Sequence, residues 1–192
     1  MRKFMLSLAL TMLAANAHAH TSGASAVGFI DGVSHPIAGL DHILAMIAVG
    51  LWAAQNGGRS LWLVPASFVG MMLVGGLVGM SGLSIPMVEV GILGSVVILG
   101  LLVGFASKMP AVAGMIAVGL MAVFHGYAHG TEMPLSASPV LYVLGFMTAT
   151  VSLHGLGIAV SKLLAKREEL GANLVQGSGA AITVTGLLLF LA

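Results

Sequence analysis

Charge is what this chain has least of. Of 192 residues, seven are Lys or Arg and six are Asp or Glu, a 7% charged fraction, where a soluble domain carries about 25%. So few charges cannot clothe a water-facing surface, which excludes an ordinary soluble domain and leaves lipid as the expected surroundings. Cysteine is absent altogether. That excludes disulfides, thiolate zinc sites and iron–sulfur clusters in any compartment. The net charge is +1 and no dense Lys/Arg tract occurs, so no nucleic-acid partner is indicated. No G-x-x-x-x-G-K-[ST] segment is present, which excludes ATP hydrolysis by that phosphate loop. No repeat of 20–50 residues and no low-complexity tract is visible, and the length suits one domain.

What the chain has instead is apolar mass: 58% hydrophobic residues and 27 glycines, with a mean hydropathy of +1.09. The first segment reads as a processing signal. Arg2 and Lys3 precede an apolar stretch, Phe4 to Ala15, which is too short to span a bilayer but the size of a signal-peptide core. Ala17-His18-Ala19 fits the small-x-small cleavage pattern. Residues 1–19 are therefore expected to be a cleaved signal peptide, with an uncleaved first helix as the alternative. Cleavage places a free amine beside the His20 imidazole, a chelating pair.

The remaining apolar blocks, Pro36–Gln55, Leu61–Met80, Pro86–Ala106, Pro110–His129, Ala137–Ser161 and Asn173–Leu191, are each about 20 residues, enough to cross a hydrocarbon layer of about 30 Å. Helices satisfy the backbone there, and Pro36, Pro86 and Pro110 are expected in first turns, where a missing N–H costs little. Residues 20–192 are thus predicted to be an all-α membrane protein, a bundle of six transmembrane helices. Arg59, Lys108 and the group Lys162, Lys166 and Arg167 fall in alternate connections. The positive-inside rule puts those connections in the cytoplasm. The mature N-terminus and the C-terminus are then both periplasmic, across a bacterial inner membrane. Glycines four apart (Gly75/Gly79, Gly100/Gly104, Gly126/Gly130) point to close helix packing.

Ionisable side chains inside a span cost roughly 2.5–3.5 kcal/mol each on insertion scales, so they usually mark a site or pathway. Here they cluster. His35 and His42 are seven apart, two turns along one helical face, with Asp41 beside His42 and Met46 one turn on. Two imidazoles and a carboxylate suit a borderline divalent ion. The plainer reading makes His35 a cap and Asp41 an orienting group for His42. A second set is His125 and His129, at i and i+4 on one face, followed by Glu132. Gly126 stands where an H-E-x-x-H protease has its general base. An interfacial belt of amphipathic rings is the plainer reading here. Glu89 lies one turn into the third span, where it either completes the site or anchors the helix start. His154 sits about 22 Å into the fifth span at 1.5 Å per residue, too far from His42 to share a shell. With Thr148, Thr150 and Ser152 it reads either as an exit relay or as a plain interhelical hydrogen bond. His20, His35, Asp41, His42, Glu89, His125, His129 and Glu132 share the outer half of the predicted topology, as an entrance funnel and binding site would.

At these residues the chain resembles the HupE/UreJ family of bacterial nickel/cobalt permeases. The resemblance covers nearly all of the mature chain. It rests on His35-Pro36-x-x-Gly39-x-Asp41-His42 followed by Leu44-Ala45-Met46 and Val49-Gly50-Leu51-Trp52. It rests also on Phe124-His125-Gly126-x-Ala128-His129-Gly130-x-Glu132 and on Pro86-x-x-Glu89-x-Gly91-Ile92. The family implies uptake of nickel, with cobalt as a variant substrate, for urease or hydrogenase maturation. By analogy His35, Asp41 and His42 carry the metal; no resident cofactor and no catalytic activity are expected. The expected partners are the divalent ion and the lipid bilayer, with a homo-oligomer left open. Three rivals stay open from the residues alone: a bis-histidine haem electron carrier, an intramembrane metalloenzyme, and a metal sensor that does not transport.

Overall fold

A computed structural model describes residues 24–191, which form seven helices and no strand. They are α1 (Ala24–Ala38), α2 (Leu40–Asn56), α3 (Ser60–Met80), α4 (Val88–Gly104), α5 (Ala111–Thr131), α6 (Pro139–Ala165) and α7 (Glu168–Leu191). The predicted signal peptide and His20 lie outside the described residues. Helices α3, α5, α6 and α7 are each long and apolar enough to cross a membrane. Many of their large apolar side chains face outward, among them Trp62, Leu77, Ile116 and Leu188. That is the inverse of a soluble surface, as the shortage of charge requires.

The expected straight span Pro36–Gln55 is corrected. The chain turns by 83° between α1 and α2, so this segment is an elbow, and with the pair taken as one span the apolar crossings number five. Pro36 sits in the last turn of α1 and not in a first turn. Its ring removes a rung from the end of that helix, and Gly39, with φ −90° and ψ 117°, leaves helical geometry altogether. Pro86 lies outside a helix, two residues before α4, whereas Pro110 caps α5 as its N-cap residue. At 17 residues, α4 is about 25 Å long, marginal for a full crossing.

Glycine seams hold the bundle together. The most extensive pairing is α3 against α5, and there the two expected glycine pairs face each other. A Cβ on Gly75 would overlap the carbonyl of Val123, one on Gly126 that of Met72, and one on Gly130 that of Gly76. Gly100 and Gly179 join α4 to α7, Gly32 and Gly145 join α1 to α6, and Gly50 and Gly157 join α2 to α6. In lipid there is little hydrophobic drive between helices, so close backbone approach is the main source of cohesion. Packed inside are Trp52, Phe68, Met72, Tyr142 and Phe146, all essentially inaccessible.

The two ends of the bundle differ chemically. At the C-terminal end of α2, Trp52 Nε1 donates to the Ser107 carbonyl at 2.8 Å, Gln55 Nε2 to that of Val103 at 3.0 Å, and Lys108 Nζ to that of Gln55. Arg59 lies at the same turn, as the N-cap of α3. His42 lies at the opposite end of α2, about 20 Å from Gln55 at 1.5 Å per residue.

Candidate functional site

The elbow brings the site together. His35 is in the last turn of α1 and His42 in the first turn of α2, so they meet across the bend and not along one helical face. Their ring centroids are 6.3 Å apart. Helix α5 contributes His125 and His129 from its last two turns. His129 lies 4.8 Å from both His35 and His42, and His125 lies 4.9 Å from His42, all edge to face. Four imidazoles from three helices thus form one contiguous cluster. His125 and His129 are fully buried, and His42 nearly so.

This spacing has chemical meaning. A metal–imidazole bond of about 2.1 Å puts each ring centroid about 3 Å from the ion, so two rings bound at right angles sit roughly 4.5 Å apart. The cluster's 4.8–4.9 Å contacts fall close to that value. The nitrogens themselves do not yet converge: among the described residues, no three His, Asp or Glu groups stand in a metal-holding arrangement.

The carboxylates sit outside the rings. Asp41 Oδ1 accepts from the backbone N–H of His42 at 2.8 Å and lies 2.9 Å from His42 Nδ1. A carboxylate oxygen only accepts, so the imidazole proton belongs on Nδ1 and His42 Nε2 keeps its lone pair. That atom is buried and has no hydrogen-bond partner among the described residues. This is the geometry in which a carboxylate orients a metal-binding histidine. It is the role the plainer sequence reading gave Asp41. Gly39 is part of the same device, because a Cβ there would come within 2.7 Å of Asp41 Oδ1 and 3.0 Å of His42 Nδ1. Glu132 Oε2 lies 3.1 Å from His35 Nε2 and ties the end of α5 to α1. A cleft of about 270 Å³ opens onto the cluster, lined by His35, Gly39, Asp41, His42, Glu89 and Glu132 among others. Its three carboxylates give a cation an attractive approach.

Two candidates stand apart. Met46 is fully buried in the apolar core and does not line the cleft. His154 is almost fully buried on α6, and its ring meets Phe68 at 5.2 Å. Phe68 in turn meets His125 at 5.7 Å. Neither His154 nitrogen has a hydrogen-bond partner among the described residues, so the interhelical hydrogen bond expected as one alternative is not formed. Nor do the neighbouring hydroxyls form a relay. Thr148, Thr150 and Ser152 donate to carbonyls of their own helix, and Thr148 and Ser152 are exposed on its outer side.

Sequence reasoning missed Ser95, whose Oγ lies 2.7 Å from His125 Nε2. One signal was available: Ser95 and Glu89 are the only polar side chains in α4. It also missed Phe68 and Tyr142. Phe68 sits as a buried partition between His125 and His154, and Tyr142 packs 6.1 Å from His35. Both look like ordinary apolar filling in sequence.

Fold and site together define a class: an all-helical protein with several membrane-length apolar helices and a buried imidazole cluster beneath an acidic cleft. Within that class the chain belongs to the HupE/UreJ family, since the family described as HupE / UreJ protein matches residues 8–189. It is 44% identical over 184 residues to Protein HupE of Rhizobium leguminosarum bv. viciae, across 96% of this chain and 95% of that protein. No solved structure matches it.

Proposed function

We propose that this chain is a permease, not an enzyme, which imports divalent nickel across the bacterial inner membrane, with cobalt as a variant substrate, for the maturation of a urease or hydrogenase. The observation that carries this is the cluster of half-buried His35 with buried His42, His125 and His129 at near-ligation spacing under a carboxylate-lined cleft. Imidazole nitrogens with free lone pairs suit a borderline divalent ion, and the absence of thiolates disfavours softer cargo. Membership of the HupE/UreJ family supports the same reading.

In this mechanism Glu89, Glu132 and Asp41 draw the hydrated ion into the cleft. The rings then rotate inward and replace its water. Asp41 holds His42 with Nε2 toward the ion, and Glu132 holds His35. A dication moving inward down the membrane potential gains about 2.3 kcal/mol per charge per 100 mV. The topology is six crossings after a cleaved leader, with the elbow forming the first, the cluster near the periplasmic face and the basic connections in the cytoplasm.

The test is uptake of radiolabelled nickel into proteoliposomes holding the purified chain, with cobalt, zinc and manganese as competitors. Saturable uptake that cobalt inhibits is expected. Folded protein that passes no more nickel than empty liposomes sinks the reading, and a stoichiometric Soret band in its visible spectrum replaces it with the haem alternative.

A further inference from the structure

We propose that Ser95 is a positioning residue that locks His125 into the tautomer whose Nδ1 lone pair is presented to the ion. The inference rests on the transport reading above but is carried by hydrogen bonds that the cargo does not enter. Ser95 lies on α4, is 2% exposed, and its Oγ has two close neighbours. One is the carbonyl oxygen of Ile92, one turn back on the same helix, at 2.6 Å. The other is His125 Nε2 at 2.7 Å.

A hydroxyl has one hydrogen and a carbonyl oxygen can only accept. If Ser95 donated to His125, its own oxygen would face the Ile92 carbonyl at 2.6 Å with no proton between two acceptors. The proton therefore lies on the bond from Ser95 to Ile92. Ser95 then meets His125 with a lone pair, and His125 Nε2 must donate to it. The neutral imidazole is left with a bare nitrogen at Nδ1, and that atom is buried with no hydrogen-bond partner among the described residues.

The consequence lies in the adjacent ring. His42, 4.9 Å away, offers a bare Nε2 because Asp41 takes its Nδ1 proton. Each ring thus holds one buried nitrogen with a lone pair and no hydrogen-bond partner among the described residues, and a cation would satisfy both. Without the Ser95 hydroxyl nothing holds the His125 proton on Nε2, and the ring is free to carry it on Nδ1, where that lone pair is lost to a metal. Ser95 keeps the lone pair free, as Asp41 does for His42. One arm of the cluster is thus anchored by a carboxylate and the other by a hydroxyl relayed to a backbone carbonyl.

The test uses the full chain in lipid nanodiscs with histidines labelled in ¹⁵N and ¹³C, free of metal. The His125 signals are assigned by their loss in His125→Gln. The wild-type spectrum is expected to show His125 protonated on Nε2 and bare on Nδ1. In Ser95→Ala the Nδ1–H form should appear, and half-saturation by nickel should rise about 10- to 100-fold, the usual cost of removing an outer-shell partner. Ser95→Thr, which keeps the hydroxyl, should restore the tautomer. A wild-type His125 carrying its proton on Nδ1 overturns the lock without any variant having to fold. So does a Ser95→Ala protein with unchanged tautomer and unchanged nickel affinity. A correct tautomer that switches in Ser95→Ala, in a chain that takes up no nickel, sinks the transport reading and not the lock.

Discussion

His154 is as hidden from solvent as His42, His125 and His129, yet their surroundings have little in common. Around His42, rings from three helices touch, three of the four imidazoles have an oxygen partner at one nitrogen, and a cleft with three carboxylates leads in. Around His154 there is an aromatic ring and an apolar cavity of about 520 Å³ between α3 and α6 with no charged side chain in its lining, and both nitrogens lack partners among the described residues. Burial of an ionisable side chain is therefore not enough to define a binding site. What separates the two regions is company: three cluster imidazoles have one nitrogen held, and His129, with neither held, packs 4.8 Å from two of them, whereas the ring beside His154 is that of Phe68.

The sharpest break in that comparison is His42→Ala. It removes the ring that touches all three other histidines and strands the Asp41 carboxylate. Nickel uptake into proteoliposomes should fall at least about 100-fold, beyond what loss of an outer partner alone costs, while membrane insertion is unchanged. Uptake at the wild-type rate would remove the cluster from the mechanism. Next in size is Gly126→Ala, which leaves both neighbouring imidazoles intact and strikes the scaffold. Its new methyl would overlap the backbone carbonyl of Met72, and a backbone cannot step aside as a side chain can. A loss of about 1–3 kcal/mol from overpacking is expected, read as a lower thermal midpoint in detergent. The same midpoint as wild type would mean that α3 and α5 are not seamed as described.

Much of this was legible beforehand, and the misses share a cause. The apolar blocks located every helix from α2 onward to within a few residues, because lipid demands length and hydropathy that sequence displays directly. The histidine pairs were legible because charge-capable groups stand out against an apolar background. The elbow was not. Pro36 and Gly39 were visible, but whether they cap a span or fold it depends on what α1 packs against, which turned out to be α6. The role of Asp41 was hidden in the same way, since a carboxylate next to a histidine reads equally as ligand or orienting partner until its oxygen is located. The partners of Ser95 and Phe68 needed the third dimension: Ser95 stands out as polar in an apolar helix, but each lies about 30 or more residues from the nearest histidine it touches.

A smaller effect is expected at the mouth of the cleft. Glu132 is 56% exposed and pairs with His35. Glu132→Gln keeps an oxygen that accepts from His35 and removes only the charge. An exposed pair of this kind is worth about 1 kcal/mol or less, so the nickel concentration giving half-maximal uptake should rise no more than about fivefold. The difference should shrink as ionic strength is raised through the screening range. A loss as deep as that of His42→Ala would move Glu132 from the approach into the inner shell, and the line between aimed rings and outer carboxylates would have to be redrawn.

The smallest effect on affinity should come from His154, and it tests the comparison from the other side. His154→Leu replaces an enclosed imidazole that makes no hydrogen bond with an apolar side chain of similar reach. Leaving two buried polar atoms unsatisfied is costly, and exchanging them for apolar ones is neutral to stabilising. The variant should therefore melt at the same temperature as wild type or higher. Its half-saturating nickel concentration should stay within about twofold, because His154 meets the nearest ring of the cluster only through the apolar face of Phe68, which the substitution leaves in place. Equilibrium binding of nickel to the detergent-solubilised variant, measured beside its melting curve, separates the two quantities. A tenfold loss of affinity in a protein that melts normally would couple His154 to His42 through the Phe68 ring, and the two regions would then have to be treated as one extended site.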